Sequence, residues 1–327
     1  MEHQTVYGIY INVIMKKHFL SLLAAVAFFA SACSGGSDEA VVTDPVAPDS
    51  GEAATQKPVI IARTGLNGTR TSLGPDGKKV LWNEGDNIAV FLKNDHLEPY
   101  LLSKGEGTSA GQFQPVIFGE YTPGEFKNYV AVYPLARYSI QENSDKTGYL
   151  IGGVFNKYQY YRDDNPCYIP GNMIAVSENP SNLKFKNLCG LLKLSFTTDY
   201  DKMTIKKISV KGRNFETLSG NFEVNVGNDG EFSDVKFSED MNNYISLQCD
   251  SGVNLVKGKY VDFYISMMPM NFKYGLQLEI FTDMGIYHML TKGVNIKHSD
   301  ILVMPKRELS IIQPLTELDV LVIEDAF

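Results

Sequence analysis

Cys33 follows Ala30-Ser31-Ala32, an apolar run from Phe19 to Ala30, and two lysines, Lys16 and Lys17. A basic front, an apolar middle and a small-residue site are the three parts of a bacterial secretory signal. A cysteine directly after the small residues predicts a lipoprotein signal, with Cys33 as the acylated first residue of the mature protein. The apolar run is shorter than the ~20 residues a membrane-spanning helix needs. One acyl chain anchors only marginally, so two or three are expected on Cys33.

Other chemistry is sparse. The chain has no Gly-x-Ser-x-Gly elbow, no phosphate-cradling glycine loop and no His-Glu-x-x-His. Gly74-Pro-Asp-Gly77 is a turn formula. Beyond residue 32 the histidines are His96, His288 and His298, none with a second ligand at zinc spacing. Carboxylates are plentiful but scattered, so no glycosidase pair is indicated. No catalytic residue, metal or cofactor is expected. Cys167, Cys189 and Cys249 are an odd set, which leaves room for one bridge and no full disulfide framework. The apolar runs around Cys189 and Cys249 predict buried thiols. A tyrosine-rich stretch, Tyr158-Gln-Tyr160-Tyr161-Arg162, has two readings. Its rings form a platform on which sugars stack, or they pack a loop against the body of the fold.

Charge narrows the partners. Residues 1–32 contain Lys16, Lys17 and Glu2, so of 30 basic and 38 acidic residues the mature chain keeps 28 and 37, a net of −9. No cluster of Lys and Arg stands against that balance, which excludes binding of nucleic acid through phosphate neutralisation. Met1 to Ile14 hold no lysine or arginine, so translation is expected to begin at Met15, the alternative being a neutral extension of the signal. Between Ser34 and Gln56 lie five acidic residues, no basic ones and no apolar period. Such a segment cannot offset its ordering entropy, and 33–56 reads as a flexible tether.

The elements after it are short, rich in Val, Ile, Tyr and Phe, and bounded by Gly, Asn, Asp or Pro. Pro58–Ala62, Val80–Trp82, Ile88–Leu92, Tyr129–Tyr133, Leu191–Phe196, Ile205–Val210, Tyr244–Leu247, Val261–Met267 and Leu276–Phe281 all read as strands. In Leu276-Gln-Leu-Glu-Ile-Phe and Leu183-Lys-Phe-Lys every second side chain is apolar, as for a sheet with one wet face. No convincing amphipathic helix follows Cys33. An all-β chain of two β-sandwiches is expected, at 57–183 and 184–327, divided near Asn179-Pro180-Ser181-Asn182. Residues 136–172 look poor in strands. Trp82 suits a core anchor contributing about 2–3 kcal/mol or more. A sugar-binding tryptophan is the functional alternative. Gly85 supplies positive φ, and Asp86 can close an Asx-turn.

Four segments in shared order resemble the fimbrillin-like proteins of Bacteroidota, the group of type V pilus subunits and their tip and anchor relatives. They are Thr69-Arg70-Thr71 with Trp82-Asn-Glu-Gly85-Asp86-Asn-Ile88; Tyr129-Val-Ala-Val-Tyr133-Pro134; Phe185-Lys-Asn-Leu-Cys-Gly-Leu-Leu-Lys-Leu; and Phe263-Tyr-Ile-Ser-Met-Met-Pro269 with Gly275-Leu-Gln-Leu-Glu-Ile-Phe-Thr. Together they span about 63–304. The resemblance implies tandem transthyretin-like sandwiches, no catalysis, and a role in pili and cell attachment at the outer membrane surface. The rival function is a glycan-binding surface lipoprotein of a nutrient-uptake system.

The Asp38-Glu39 pair resembles the acidic export tag of Bacteroidota surface lipoproteins; plain linker chemistry explains it equally well. Pilus subunits of the group are matured by cleavage after an arginine near the N-terminus, which removes the first strand and opens a groove for a neighbour's strand. Arg63 and Arg70 are the matching candidates, and ordinary surface arginines are the other reading. Partners implied are other pilus subunits by strand exchange or a surface receptor, with the membrane reached through the N-terminal lipid. The segment Leu318–Phe327 is apolar and β-prone, and either packs within the chain or donates a strand. Cys33→Ser is expected to abolish acyl labelling and to release the protein from membranes; retention of the variant in the membrane fraction contradicts the lipoprotein reading.

Overall fold

The computed structural model describes residues 57–64, 72–73, 80–117, 124–162, 172–233, 235–238, 242–310, 317–318 and 321–323. Cys33, Arg70 and Cys167 lie outside them. Among the described residues every regular element is a strand, as short β-branched and aromatic runs between turn residues require. The first set is β1 (Ile60–Thr64), β2 (Ser72–Leu73), β3 (Val80–Leu81), β4 (Asn87–Phe91), β5 (Leu97–Lys104), β6 (Ala110–Pro115) and β7 (Tyr129–Tyr133). Then come β8 (Ser139–Glu142), β9 (Gly148–Phe155), β10 (Tyr158–Tyr160), β11 (Met173–Ser177) and β12 (Leu183–Asn187). Longer strands follow: β13 (Gly190–Thr198), β14 (Lys202–Gly212), β15 (Gly220–Gly227), β16 (Lys236–Phe237), β17 (Tyr244–Val256) and β18 (Val261–Met267). The last set is β19 (Met270–Phe272), β20 (Leu276–Thr282), β21 (Ile286–Thr291), β22 (Val294–Ile296), β23 (Ile301–Val303), β24 (Arg307–Leu309), β25 (Glu317–Leu318) and β26 (Leu321–Ile323).

Seven strands close on themselves in the order β1-β12-β11-β7-β4-β5-β6, with β6 returning to β1. Closure leaves no strand edge in this sheet. Its interior holds Ile60, Ala62, Trp82, Ile88, Val90, Tyr100, Phe113, Tyr133 and Phe185 among others. Trp82 is fully buried at the centre and meets Phe113, Tyr133 and Phe185 edge-on at 4.9, 5.7 and 5.7 Å. This is the core-anchor role, and such T-shaped pairs add to area burial. Gly111 makes room for it, because a Cβ there would stand 2.9 Å from Trp82 Cδ1 and 2.8 Å from Phe113 Cε2. The loop after Trp82 turns at Gly85, φ +79°. Asp86 does not form an ordinary Asx-turn there. Its carboxylate reaches back to accept the Asn83 N–H at 2.7 Å and also accepts the Tyr133 hydroxyl at 3.1 Å.

Strands β4 and β7 are buried on both faces. Ile88, Val90 and Ala131 face the barrel interior, while Ala89, Phe91, Val130 and Val132 join a second, larger core. That explains their unbroken apolar runs. The larger core fills the space among three sheets. One has the order β10-β17-β14-β20-β21-β25, another β18-β13-β23-β26 with β24 also on β13, and a third β16-β15-β9-β8. Tyr149, Phe91, Phe196, Phe222, Phe263 and Phe272 are its largest fully buried side chains. Pairing crosses residue 183 repeatedly: β9 joins β15, β10 joins β17, and β12 runs across the point itself.

Residues 136–172 hold β8, β9 and β10, contrary to their strand-poor appearance. Gly148, Gly152 and Gly153 dilute the signal of β9. The terminal segment pairs within the chain where it is described. β26 lies antiparallel on β23 through three residue pairs, and β25 lies parallel on β21 through two. Trp82→Ala is expected to lower unfolding free energy by about 3–5 kcal/mol, read as a fall in the urea midpoint.

Candidate functional site

Two places bring together the residues singled out from sequence. The first is the seat of β1. Its backbone runs antiparallel to β6, with Ile60 opposite Phe113 and Ala62 opposite Gly111. On its other side it runs parallel to β12, with Ala62 beside Leu183 and Thr64 beside Phe185. Alternation sends Ile60, Ala62 and Thr64 inward and leaves Arg63 exposed. The sequence places Arg63 at the end of a first strand after Pro58–Ala62. It lies within β1, because Thr64 continues the ladder: its N–H and its Oγ1 both donate to Ser109 O, at 2.9 and 3.1 Å. The start of β1 is tied as well: the Ile61 N–H donates to Pro180 O at 2.9 Å. β1 therefore supplies two things at once, backbone pairing for two neighbours and an apolar lid over the barrel core.

The second place is the outer face of the six-stranded sheet. On β10, Tyr158 and Tyr160 point outward and are 46% and 51% exposed, while Gln159 between them points inward. There its amide donates to Ser266 O at 2.8 Å and its oxygen accepts the Ser266 N–H at 2.9 Å. Tyr161 does not join its two neighbours. It packs on Phe263, ring centres 5.4 Å apart, against the larger core. The register then builds rows across the face. Tyr158 lies beside Ser246, Ser246 beside Ser209, and Ser209 beside Glu279. The next row is Tyr160, Gln248, Lys207 and Phe281. On the other side Tyr244 pairs with Lys211. Two serines thus sit among long side chains, and a trough of about 730 Å³ opens above them.

Both lysines of the trough are engaged, and Asp250 lines it as well. Lys211 Nζ stands 3.3 Å from Glu279 Oε2, and Lys207 Nζ lies 3.8 Å from the centre of the Phe281 ring. Tyr158 and Tyr244 share a hydrogen bond that raises the pKa of the first hydroxyl and lowers that of the second. Lys157 stands over both rings at 5.2 and 5.5 Å and favours the Tyr244 phenolate further. Tyr244, Lys207 and Phe281 were not found from sequence. A signal existed: Phe281 occupies the same phase of its alternating strand as Gln277 and Glu279. An aromatic in the wet phase marks an exposed ring.

Among the described residues no group of three or more His, Cys, Asp or Glu could hold a metal. Cys189 and Cys249 are buried, the Cys189 Sγ lying 3.8 Å from Met268 Sδ. Burial pushes the Cys189 thiol up to about 12, so it carries no thiolate near neutrality. Iodoacetamide at pH 8 is expected to leave Cys189 unmodified in the folded protein and to label it in urea, as read by peptide mass mapping.

No protein-family model and no curated protein matches the chain. Solved structures do. A candidate cell adhesion protein from Bacteroides ovatus is 15% identical, with TM-score 0.48, over 83% of this chain and 97% of that one. Another from Bacteroides uniformis is 13% identical, with TM-score 0.47, over 82% and 97%. The tip fimbrial protein Mfa3 from Porphyromonas gingivalis, with a C-terminal truncation, is 10% identical, with TM-score 0.37, over 81% and 97%.

Proposed function

We propose that the protein is a lipid-anchored surface subunit of the fimbrial kind, whose first strand is replaceable by a strand from another subunit. The observation that carries this reading is the seat of β1, paired on both edges and roofing the core around Trp82. Cleavage after Arg63 removes nearly all of β1. The loss unpairs β6 and β12 and uncovers the apolar interior between them. A strand from a neighbour restores both, since backbone hydrogen bonds give affinity and alternate side chains fill the vacated positions. The same geometry sets a condition. Arg63 is held in the ladder, so a protease reaches it only when the end of β1 opens or before the barrel closes.

A donor is available in kind. Leu318–Phe327 is apolar, and its described part is held by few pairings, Leu318 on Thr291 and Leu321–Ile323 on β23. Releasing these costs less backbone pairing than the five-residue, two-sided seat of β1 supplies. Acylation at Cys33 tethers the subunit to the outer membrane through the acidic segment 33–56. Attachment to a surface receptor or to further subunits then occurs outside the cell.

The form beginning at Thr64 is expected to assemble into heat-resistant ladders on gels, because rupture of such a junction exposes groove and strand together. Removal of Leu318–Phe327 from that form is expected to abolish the ladders. A Thr64 form that stays monomeric with its terminal segment intact contradicts strand replacement.

A further inference from the structure

We infer that the trough on the outer face of β10, β17, β14 and β20 is a binding site for an uncharged oligosaccharide. None of these strands belongs to the closed barrel, so the inference is independent of strand replacement.

Shape comes first. Strands lie about 4.8 Å apart and rise about 3.3 Å per residue. The backbone of β10, which carries the tyrosines, and that of β20 therefore lie about 14 Å apart, with Ser246 and Ser209 between them in the Tyr158 row and Gln248 and Lys207 in the Tyr160 row. The volume of about 730 Å³ falls within the ordinary range for small-molecule sites, about 300–1,000 Å³. Chemistry selects the occupant. Tyr158 and Tyr160 stand on the same face two residues apart, so their rings present successive platforms along one wall. An aromatic face is negative, and the C–H faces of a sugar ring are its weakly positive complement. Between the platforms are fixed donors and acceptors: Gln248, whose amide donates to Ser246 Oγ at 2.9 Å, the Lys211–Glu279 pair, and Asn243. Hydroxyls, which both donate and accept, suit this mixture.

Other occupants fit less well. A continuous apolar floor for a partner helix is missing, because Ser246, Ser209, Gln248 and Lys207 lie between the walls. Nucleic acid needs unpaired positive charge, and here Lys207 and Lys211 are engaged by Phe281 and Glu279. A peptide strand adds to a backbone edge, and the nearer edge of this sheet is the outer side of β10, not the face on which the trough lies.

The test uses the full chain on an array of neutral and acidic oligosaccharides, then calorimetric titration with the neutral one bound best. Tyr160→Ala is expected to weaken binding at least tenfold. Ser209→Arg, which fills the trough, is expected to abolish it. Tyr260→Ala, at an exposed tyrosine directly before β18, is expected to leave it unchanged. Circular dichroism confirms that each variant is folded, and the exposed Tyr160 provides a variant free of core damage. The inference is overturned by an array with no oligosaccharide bound above unfolded protein, by binding confined to acidic sugars or protein carriers, or by affinity that survives Ser209→Arg in a folded protein.

Discussion

Backbone pairing of β1 on both edges is the constraint on which the barrel depends. A strand between two others must satisfy two ladders, and its inward side chains must complete a core. The five residues Ile60–Thr64 do both. Their inward set is small in the middle and larger at the start: Ile60, Ala62, Thr64. That leaves room for the indole of Trp82 below, with Gly111 clearing the position opposite Ala62. Without β1, two ladders and one core face are open to water simultaneously. The barrel and the larger core are linked through β4 and β7, which bury both faces.

The other major sheet follows the opposite rule. Its inner face is apolar, through Leu247, Ile208, Val210, Leu278 and Ile280. Its outer face is polar and aromatic. One residue decides which face a tyrosine serves: Tyr158 and Tyr160 face water, and Tyr161, leaving the strand, turns onto Phe263. Alternation thus produces both core and exposed trough from the same strands.

Much of this was legible in the residues. Alternation in Leu183–Lys186 and Leu276–Phe281 matches the burial observed in β12 and β20. The Trp-x-x-Gly-Asp spacing identified a buried indole and a positive-φ turn, both present. Local pattern could not supply partnership between distant strands. That β1 lies beside β12, over 100 residues away, is a tertiary fact. The trough escaped for the same reason, since four strands far apart in sequence contribute to it. β9 escaped because its glycines weaken the strand pattern locally, while pairing with β15 along eight residues holds it. Arg63 was displaced from the strand end into the ladder by Thr64, whose hydroxyl and N–H both find Ser109.

Hydrogen–deuterium exchange, followed by mass spectrometry before and after removal of residues up to Arg63, tests the role of β1 most directly. Segments 110–115 and 183–187 are expected to lose protection when β1 is gone. A peptide of Leu318–Phe327 added in excess is expected to restore it, while β14 and β17 stay protected throughout. Unchanged protection in 110–115 and 183–187 after removal of β1, or no recovery with the peptide, contradicts a replaceable first strand.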